Sequence, residues 1–416
     1  MGAFRRTWLI AFLFIRLSTE LVPVVSAHTR KLDNSSSLFS VYPTPCFPGT
    51  FIFGDSLVDN GNAMAVYPDR FARLEQDPFG VSWPGHGADR FCDGKLIGDY
   101  LSWGTGGFPM SAYLRSVQTL LFLGVNLAAS GSTVLPGLTL NPIFQDDEVF
   151  PHTPFTLDQQ LQWYKHFMFR DSELSKGRSM QNVIPVGSFN SSLHLIIAGY
   201  TDYILQFLSG WPEALVLASV TGIVNGISDT AEMLHTTHKV KDIVVVNLPP
   251  LGCTPAFLTI FPGDPDDYDD YGCLTSFNAA IELHNEELFR AVLTLRAKYP
   301  DLSLSYGNFY RTFQDILKHP SKFGFHSTPK LLKACCGAGG KYNFEPNVTC
   351  GASVFANGKL HNGTACKEPT KHLFWDGFHP SGAVNRIAAI SFLNGTALYP
   401  SDGLRPPNCK PDFSQF

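Results

Sequence analysis

The stretch Asp242-Ile243-Val244-Val245-Val246-Asn247 decides the fold class of this chain. Its run of β-branched residues, bounded downstream by Pro249-Pro250, predicts a short strand that is buried on both faces, as in a parallel sheet. Four further short runs predict strands of this kind: Thr50–Phe53, Gly124–Ala129, His194–Ala198 and Leu302–Tyr306. Helical spacing of apolar residues appears between runs, from Pro212 to about His235 and from Leu274 to Lys298. This alternation predicts a doubly wound α/β sheet, whose ligand crevice lies beyond the carboxyl ends of the strands.

Composition narrows the class of protein further. The 416 residues are 44% hydrophobic and carry a formal net charge of -5. That hydrophobic content excludes disorder as the overall state, and the acidic balance argues against nucleic acid as the main partner. The sequence contains no internal repeat or low-complexity tract, so residues 47–416 are predicted to form a single domain.

The amino terminus predicts secretion. Two arginines precede an apolar run from Trp8 to Ile15, and Val25-Ser26-Ala27 supplies the small residues of a cleavage site. The run is much shorter than the roughly 20 apolar residues of a spanning helix, and Arg16 interrupts it. We therefore expect a signal peptide at 1–27, a flexible lead-in at 28–46 and no membrane span elsewhere. The expected location is extracellular, with a vacuole as the alternative.

Glycosylation sequons in the sequence agree with the predicted secretion. Five Asn-x-Ser/Thr patterns are candidate glycosylation sites: Asn34, Asn190, Asn347, Asn362 and Asn394.

The nine cysteines also fit an oxidising compartment, where most are expected to be paired. Cys253 and Cys273 bracket an acidic loop and are predicted to pair with each other. Two further pairs, with their order left open, are expected among Cys335, Cys336, Cys350 and Cys366. The odd count leaves at least one cysteine without an intramolecular partner. No Cys-x-x-Cys pair with a matching second pair occurs, so no metal site is predicted.

Residues able to perform nucleophilic chemistry lie where the crevice is predicted. Gly54-Asp55-Ser56 ends the first strand, so Ser56 can project its hydroxyl into the crevice. Asp376 and His379 are three residues apart, which allows the carboxylate to hold one ring nitrogen while the other accepts a proton from serine. Two loops at strand ends, Ser130-Gly131-Ser132 and Gly199-Tyr200-Thr201-Asp202, offer donors to a developing oxyanion.

These motifs make the chain recognisable. It resembles the plant-type GDSL esterase/lipase family of the SGNH-hydrolase superfamily, from about Phe51 to Ala388. The resemblance rests on five motifs in family order: Phe53 to Asn62, Gly124 to Gly131, Asn247 to Cys253, Cys335-Cys336-Gly337, and Phe374 to Pro380.

The resemblance implies a fold and a set of roles. The fold is a flavodoxin-like, three-layer α/β/α arrangement with a five-stranded parallel sheet. Ser56 is the implied nucleophile, His379 the base and Asp376 the residue that orients it. The backbone N–H groups of Ser56 and Gly131 are two implied oxyanion donors. The family uses no metal and no organic cofactor. The expected substrate is a small-molecule or lipid ester, and we expect a monomer.

One position departs from the family pattern. Thr201 stands where the family places the asparagine that is its third oxyanion donor. The loss of one such donor typically lowers turnover by about 10²–10³-fold. We therefore expect a slow esterase, or one that recruits a water or Tyr200. An acyltransferase with the same acyl-enzyme is one alternative, and a catalytically silent glycoprotein of the same fold is the other.

Overall fold

The computed structural model of the protein describes residues 46–117, 119–138, 150–176, 183–185, 187–356, 358–404, 409–413 and 416. The predicted signal peptide at 1–27, the lead-in up to residue 45 and the sequon at Asn34 lie outside the described residues. The residues from 46 onward belong to one compact unit.

Five parallel strands lie where the apolar runs predict them. These five are β1 (Thr50–Gly54), β2 (Gly124–Asn126), β3 (Leu193–Ile197), β4 (Asp242–Val246) and β5 (Ser303–Gly307). The other described strands are β6 (Cys336–Gly337), β7 (Ser353–Ala356), β8 (Lys359–Asn362), β9 (Thr364–Ala365) and β10 (Leu398–Tyr399). The central sheet has the order β2-β1-β3-β4-β5-β10, and β10 alone is antiparallel in it. The predicted five-stranded sheet is thus confirmed in its parallel part and extended by β10, a strand of two residues that is too short to produce a period-2 pattern.

The order 2-1-3-4-5 of the parallel strands is that of flavodoxin-like sheets, in which the chain reverses direction across the sheet between β1 and β3. Ligands bind at this reversal, outside the carboxyl ends of the two strands. We therefore expect the functional site at the residues that follow Gly54 and Ile197, the last residues of β1 and β3.

Helices cover both faces of the sheet. They are α1 (Asn62–Val66), α2 (Pro68–Phe71), α3 (Ile97–Gly104), α4 (Leu157–Ser175), α5 (Ser188–Ser191), α6 (Tyr200–Leu208), α7 (Glu213–Thr236), α8 (Pro255–Ile260), α9 (Thr275–Lys298), α10 (Phe309–Lys318) and α11 (Gly382–Leu393). The two predicted helices correspond to α7 and α9, and both predictions are confirmed to within about one residue at each end.

Neighbouring side chains of β1 show the two faces directly. The ring of Phe51 lies 5.1 Å from that of Tyr164 on α4. Ile52 points the opposite way, and a Cβ built at Gly98 of α3 would lie 2.7 Å from Ile52 Cδ1. Since successive side chains of a strand alternate between faces, α4 and α3 form separate layers. The close approach of α3 depends on the glycine at residue 98.

Among the described helices, α7 is long and apolar enough to cross a membrane by length and composition. From the sequence we expect no membrane span outside the amino terminus, so the packing of α7 bears on that expectation. A stripe of buried residues along α7, including Val220, Ile223 and Ile227, packs in the core, and α9 and α4 contact the helix. This packing is that of a core helix.

Four disulfides are present, and Cys92 is a buried free thiol. The pairs are Cys46–Cys409, Cys253–Cys273, Cys335–Cys366 and Cys336–Cys350. The predicted pairing of Cys253 with Cys273 is confirmed. For the four cysteines whose pairing was left open, Cys335 pairs with Cys366 and Cys336 with Cys350. The pairing of Cys46 with Cys409 was not predicted, because 363 residues separate the two cysteines.

Candidate active site

Ser56 follows β1 at the point where the chain turns out of the sheet. Gly54 makes this turn with φ of 153°, and a Cβ there would lie 1.9 Å from the carbonyl oxygen of Ile197. Gln160 of α4 brackets the turn, because its Oε1 accepts from Gly54 N at 2.8 Å and its Nε2 donates to Gly54 O at 2.8 Å. Gly54, two residues before Ser56, is therefore held at the β1/β3 reversal through both its N–H and its carbonyl.

Asp55 ties the ends of β1 and β3 together. Its fully buried carboxylate accepts from the backbone N–H groups of Leu57, Tyr200 and Thr201 at 3.0–3.3 Å. Burial raises the pKa of Asp55 to about 6, although these hydrogen bonds act in the opposite direction. The loop after β3 is thereby fixed to the residue before Ser56.

Asp376 and His379 form one turn that faces Ser56. The Nδ1 atom of His379 lies 2.9 Å and 3.0 Å from the two carboxylate oxygens of Asp376, and its Nε2 lies 2.8 Å from Ser56 Oγ. Asp376 Oδ1 also accepts from the backbone N–H groups of Phe378 and His379, each at 2.8 Å. The exposed fractions are only 2% for Ser56, 3% for His379 and 8% for Asp376. The structure thus brings together the three residues that the sequence singled out.

The electrostatics of the turn keep Asp376 ionised. Burial by itself would raise the pKa of the Asp376 carboxyl. The charge of His379 and the hydrogen bonds from His379 and Phe378 outweigh burial and lower this pKa below its ordinary value. An ionised carboxylate at this position holds Nδ1–H and leaves Nε2 available to Ser56.

The imidazole ring is also held by apolar and backbone contacts. Phe91 stacks on the His379 ring, with centroids 4.6 Å apart and an interplanar angle of 15°. Trp375 N donates to His379 O at 2.8 Å. Cys335 and Cys336, each held by its own disulfide to a different cysteine, support this segment. Their N–H groups donate to the carbonyls of Phe374 and Trp375, respectively.

The three groups predicted as oxyanion donors, one on Ser56 and one on each of the two predicted loops, lack a protein partner in the described part of the chain. The backbone N–H groups of Ser56 and Gly131 donate no hydrogen bond there. The hydroxyl of Thr201 is fully buried and likewise has no hydrogen-bond partner among the described residues.

Two buried carboxylates hold these loops in place. Asp59 accepts from the N–H of Ser130 at 2.7 Å. Asp202 accepts from Val134 and Leu135 at 2.8 Å and 2.9 Å. Burial raises the pKa of Asp59, and it raises that of Asp202 to about 7.

Tyr200 does not take the place of the missing asparagine. Its hydroxyl donates to the carbonyl oxygen of Phe378 at 3.3 Å and is fully buried. The expectation that Tyr200 serves as a substitute donor is therefore not supported by its hydrogen bond.

A mainly aromatic pocket opens beside Ser56. Its aromatic lining consists of Phe79, Phe91, Phe150, Phe344 and Phe378. Within the described residues, Asp376 is the single carboxylate that lines it, and Arg73 contributes a guanidinium. The lining is therefore mainly apolar, which is typical of sites that bind apolar groups.

One cluster offers atoms of the kind that bind metals. Cys335, Cys366 and His372 place their ligand atoms within 4.8 Å of one another. The two sulfurs are joined in a disulfide, so neither is a thiolate ligand. The prediction that the protein needs no metal and no organic cofactor stays a prediction.

The predicted glycosylation sites in the described residues all lie on the surface. These exposed asparagines are Asn190, Asn347, Asn362 and Asn394. Their modification stays a prediction.

Sequence reasoning missed several residues that build the site. Asp55 and Asp59 stand inside the quoted motif around Ser56, so a search for buried carboxylates near strand ends would have found them. Gln160 and Phe91 lie in segments without a motif, and only the folded structure connects them to Gly54 and His379.

Comparison with known proteins agrees with the fold and the motifs. The model of the GDSL-like lipase/acylhydrolase family matches residues 50–392. The GDSL esterase/lipase At4g01130 of Arabidopsis thaliana is 30% identical over 357 residues, which cover 85% of this chain and 89% of that protein. Alpha-L-fucosidase 3 of Arabidopsis thaliana is 29% identical over 344 residues, or 82% and 88%. The GDSL esterase/lipase ENOD8 of Medicago truncatula is 29% identical over 352 residues, or 84% and 86%. The chain therefore belongs to the GDSL-like lipase/acylhydrolase family of carboxylic ester hydrolases.

Proposed function

We propose that the protein is a secreted serine esterase that acts through Ser56, His379 and Asp376 and forms an acyl-enzyme. The observation that carries this proposal is the chain of contacts in which His379 Nε2 lies 2.8 Å from Ser56 Oγ while Nδ1 lies against Asp376. This is the arrangement that an activated serine nucleophile requires.

In the first half of the reaction, Ser56 Oγ attacks the ester carbonyl carbon and its proton passes to His379 Nε2. Asp376 stabilises the imidazolium that forms, without taking the proton itself. The tetrahedral oxyanion lies near the N–H groups of Ser56 and Gly131 and the Thr201 hydroxyl. Collapse breaks the ester C–O bond, and His379 gives its proton to the departing alcohol.

In the second half, His379 removes a proton from water, and the hydroxide attacks the acyl carbon. The second tetrahedral species collapses to the free acid and returns the proton to Ser56. The aromatic lining of the pocket supports an acyl or aryl group as the part of the substrate that is buried.

Glycoside hydrolysis is the activity named for one of the relatives. That chemistry ordinarily needs two carboxyl groups on either side of the scissile bond. In the described part of the pocket, Asp376 is the only carboxylate, and His379 engages both of its oxygens. The site therefore favours ester over glycoside cleavage.

The catalytic proposal is tested with a fluorophosphonate probe and a series of p-nitrophenyl esters of graded acyl length. We expect labelling of the wild-type protein, no labelling of Ser56→Ala, and a fall in ester hydrolysis of about 10⁴-fold or more in that variant. Labelling that persists in Ser56→Ala, or turnover that stays within tenfold of the wild type, would contradict the role of Ser56. Product analysis with an alcohol present distinguishes hydrolysis from acyl transfer.

Secretion is the second part of the proposal. It is supported by the leader-like amino terminus and by the four disulfides, which persist in oxidising compartments. Expression with the native leader should yield a protein in the medium that begins after Ala27. Retention of residues 1–27 in the cell would contradict it.

A further inference from the structure

An exposed apolar pair lies on the hairpin of β7 and β8. Phe355 and Leu360 are direct cross-strand partners, and their exposed fractions are 72% and 54%. Phe355 has the largest exposed fraction of the large hydrophobic side chains in the described residues. Apolar neighbours left in water favour a covering group, because burial of their surface is stabilising.

A glycosylation sequon occupies the same face of the hairpin. Asn362 follows Leu360 by two residues, so the two side chains point to the same side of β8 and lie about 7 Å apart. Phe355 lies opposite Leu360, at a typical Cβ separation of about 5 Å. Asn362, Leu360 and Phe355 therefore line one continuous surface, and Thr364 completes the sequon.

The amide of Asn362 is oriented by its cross-strand partner. Ser353 Oγ donates to Asn362 Oδ1 at 2.8 Å. The Nδ2 atom, which is the atom that carries an N-linked sugar, has no hydrogen-bond partner in the described part of the chain. The side chain is exposed, so the attachment atom is accessible.

The base of the hairpin holds this surface in place. Cys350 is bonded to Cys336, and the backbone of Gly363 both donates to Ala352 O at 2.8 Å and accepts from Gly351 N at 2.9 Å. The apolar pair is thus presented by a fixed element.

We propose that an N-linked glycan on Asn362 packs its first N-acetylglucosamine ring over Phe355 and Leu360. One face of this sugar in its β linkage presents only C–H groups, which pack on an aromatic ring and an aliphatic side chain. The hydroxyl groups on the ring edge stay in water. The inference rests on the secretion proposed above, since glycosylation requires that route.

The test compares Thr364→Ala, which removes the sequon but keeps Asn362, with the matched variant Thr364→Ser, which keeps the sequon. Both are made in the full-length secreted protein and in a background with Phe355→Ser and Leu360→Ser. The measurements are glycan occupancy by mass spectrometry, hydroxyl-radical oxidation of Phe355, and the midpoint of thermal unfolding.

We expect Asn362 to be glycosylated in the wild type and in Thr364→Ser. Loss of the glycan in Thr364→Ala should increase Phe355 oxidation several-fold and lower the thermal midpoint by about 1–2 °C. In the background that lacks the apolar pair, Thr364→Ala should leave the midpoint unchanged, because the sugar then has no apolar surface to cover.

Three results would overturn the inference. They are an unmodified Asn362 in the secreted protein, equal Phe355 oxidation with and without the glycan, and binding of the glycosylated protein to lipid vesicles or to a second copy through Phe355. Cys350 at the base of the hairpin lines the pocket, but no described residue of β7 or β8 does, and neither does Thr364. Ester hydrolysis should therefore not change in Thr364→Ala. A failure of the serine mechanism would instead be seen in the Ser56 labelling experiment.

Discussion

The two sides of the candidate active site differ in how far their polar groups are hydrogen-bonded within the described part of the protein. On the proton-transfer side, His379 uses both ring nitrogens, and Asp376 accepts from the ring and from two backbone N–H groups. On the oxyanion side, the N–H groups of Ser56 and Gly131 and the hydroxyl of Thr201 have no protein partner within the described residues.

This difference is the one that the proposed reaction requires. The proton-transfer groups must be held in one tautomer and orientation before substrate arrives, so their hydrogen bonds are made within the protein. Oxyanion donors must be preorganised yet unoccupied, because their partner is a charge that exists only during the reaction. The hydroxyl of Thr201 meets the second requirement with a shorter side chain than the asparagine of the family pattern.

The largest effect should come from the proton-transfer side. Asp376→Asn removes the charge that stabilises the imidazolium and offers His379 the wrong tautomer. We expect turnover of a short-chain ester to fall by about 10³–10⁴-fold. Turnover within tenfold of the wild type, in a variant whose circular dichroism is unchanged, would show that the carboxylate is not needed.

A smaller effect of opposite sign should come from the oxyanion side. Thr201→Asn adds an amide donor, and we expect turnover to rise by about 10-fold to 100-fold, below the full value of one preorganised donor. Thr201→Val keeps the shape but removes the hydroxyl, and it should lower turnover. If the valine variant matches the wild type and the asparagine variant gains nothing, Thr201 is not an oxyanion donor and the comparison of the two sides fails.

The smallest effect on catalysis should come from a substitution of Asp55, whose carboxylate holds the loop after β3. The same substitution should have a clear effect on stability. Burial raises the pKa of Asp55 in the folded protein to about 6, above the ordinary value of 3.8. The folded state therefore binds more protons between these values, and the stability contributed by Asp55 falls as the pH rises through 6. Asp55→Asn should remove about 1–2 kcal/mol of this pH dependence between pH 5 and 8.

The measurement is urea unfolding of Asp55→Asn and wild type at several pH values, and the difference between them is the informative quantity. Burial lowers the pKa of His194 and His284 to about 3, which makes stability rise with pH over an overlapping interval. A variant-minus-wild-type difference that does not change with pH would mean that Asp55 is ionised throughout.

Short-range patterns predicted much of the fold. The apolar runs predicted the five parallel strands, because β-branched residues between breakers favour buried strands irrespective of distant neighbours. The spacing of Asp376 and His379 predicted their contact, because both lie in one turn. The resemblance to a known family supplied Gly131 and the departure at Thr201, neither of which periodicity could have identified.

Other features depend on which strands become neighbours. Gln160 on α4 contacts Gly54 across 106 residues of sequence. Phe91, in the loop before α3, packs on the ring of His379. Both contacts arise because the packing of the fold brings these segments to the end of β1. The pairing of Cys335 with Cys366 and of Cys336 with Cys350 likewise depends on contacts between distant segments. So does the pairing of β10 with β5. No local pattern encodes these pairings.

By itself, the sequence determined the alternation of strands and helices, the choice of candidate reactive side chains and the local turn that joins Asp376 to His379. Only the tertiary structure decided that Ser56 and His379 meet across 323 residues at 2.8 Å. It also decided that the candidate donor Thr201 Oγ1 is buried without a hydrogen-bond partner among the described residues. Secondary structure and tight turns depend on interactions between near neighbours in the chain, which composition and spacing reveal. Contacts between distant segments depend on how whole strands and helices pack, and that packing is set by the complete core.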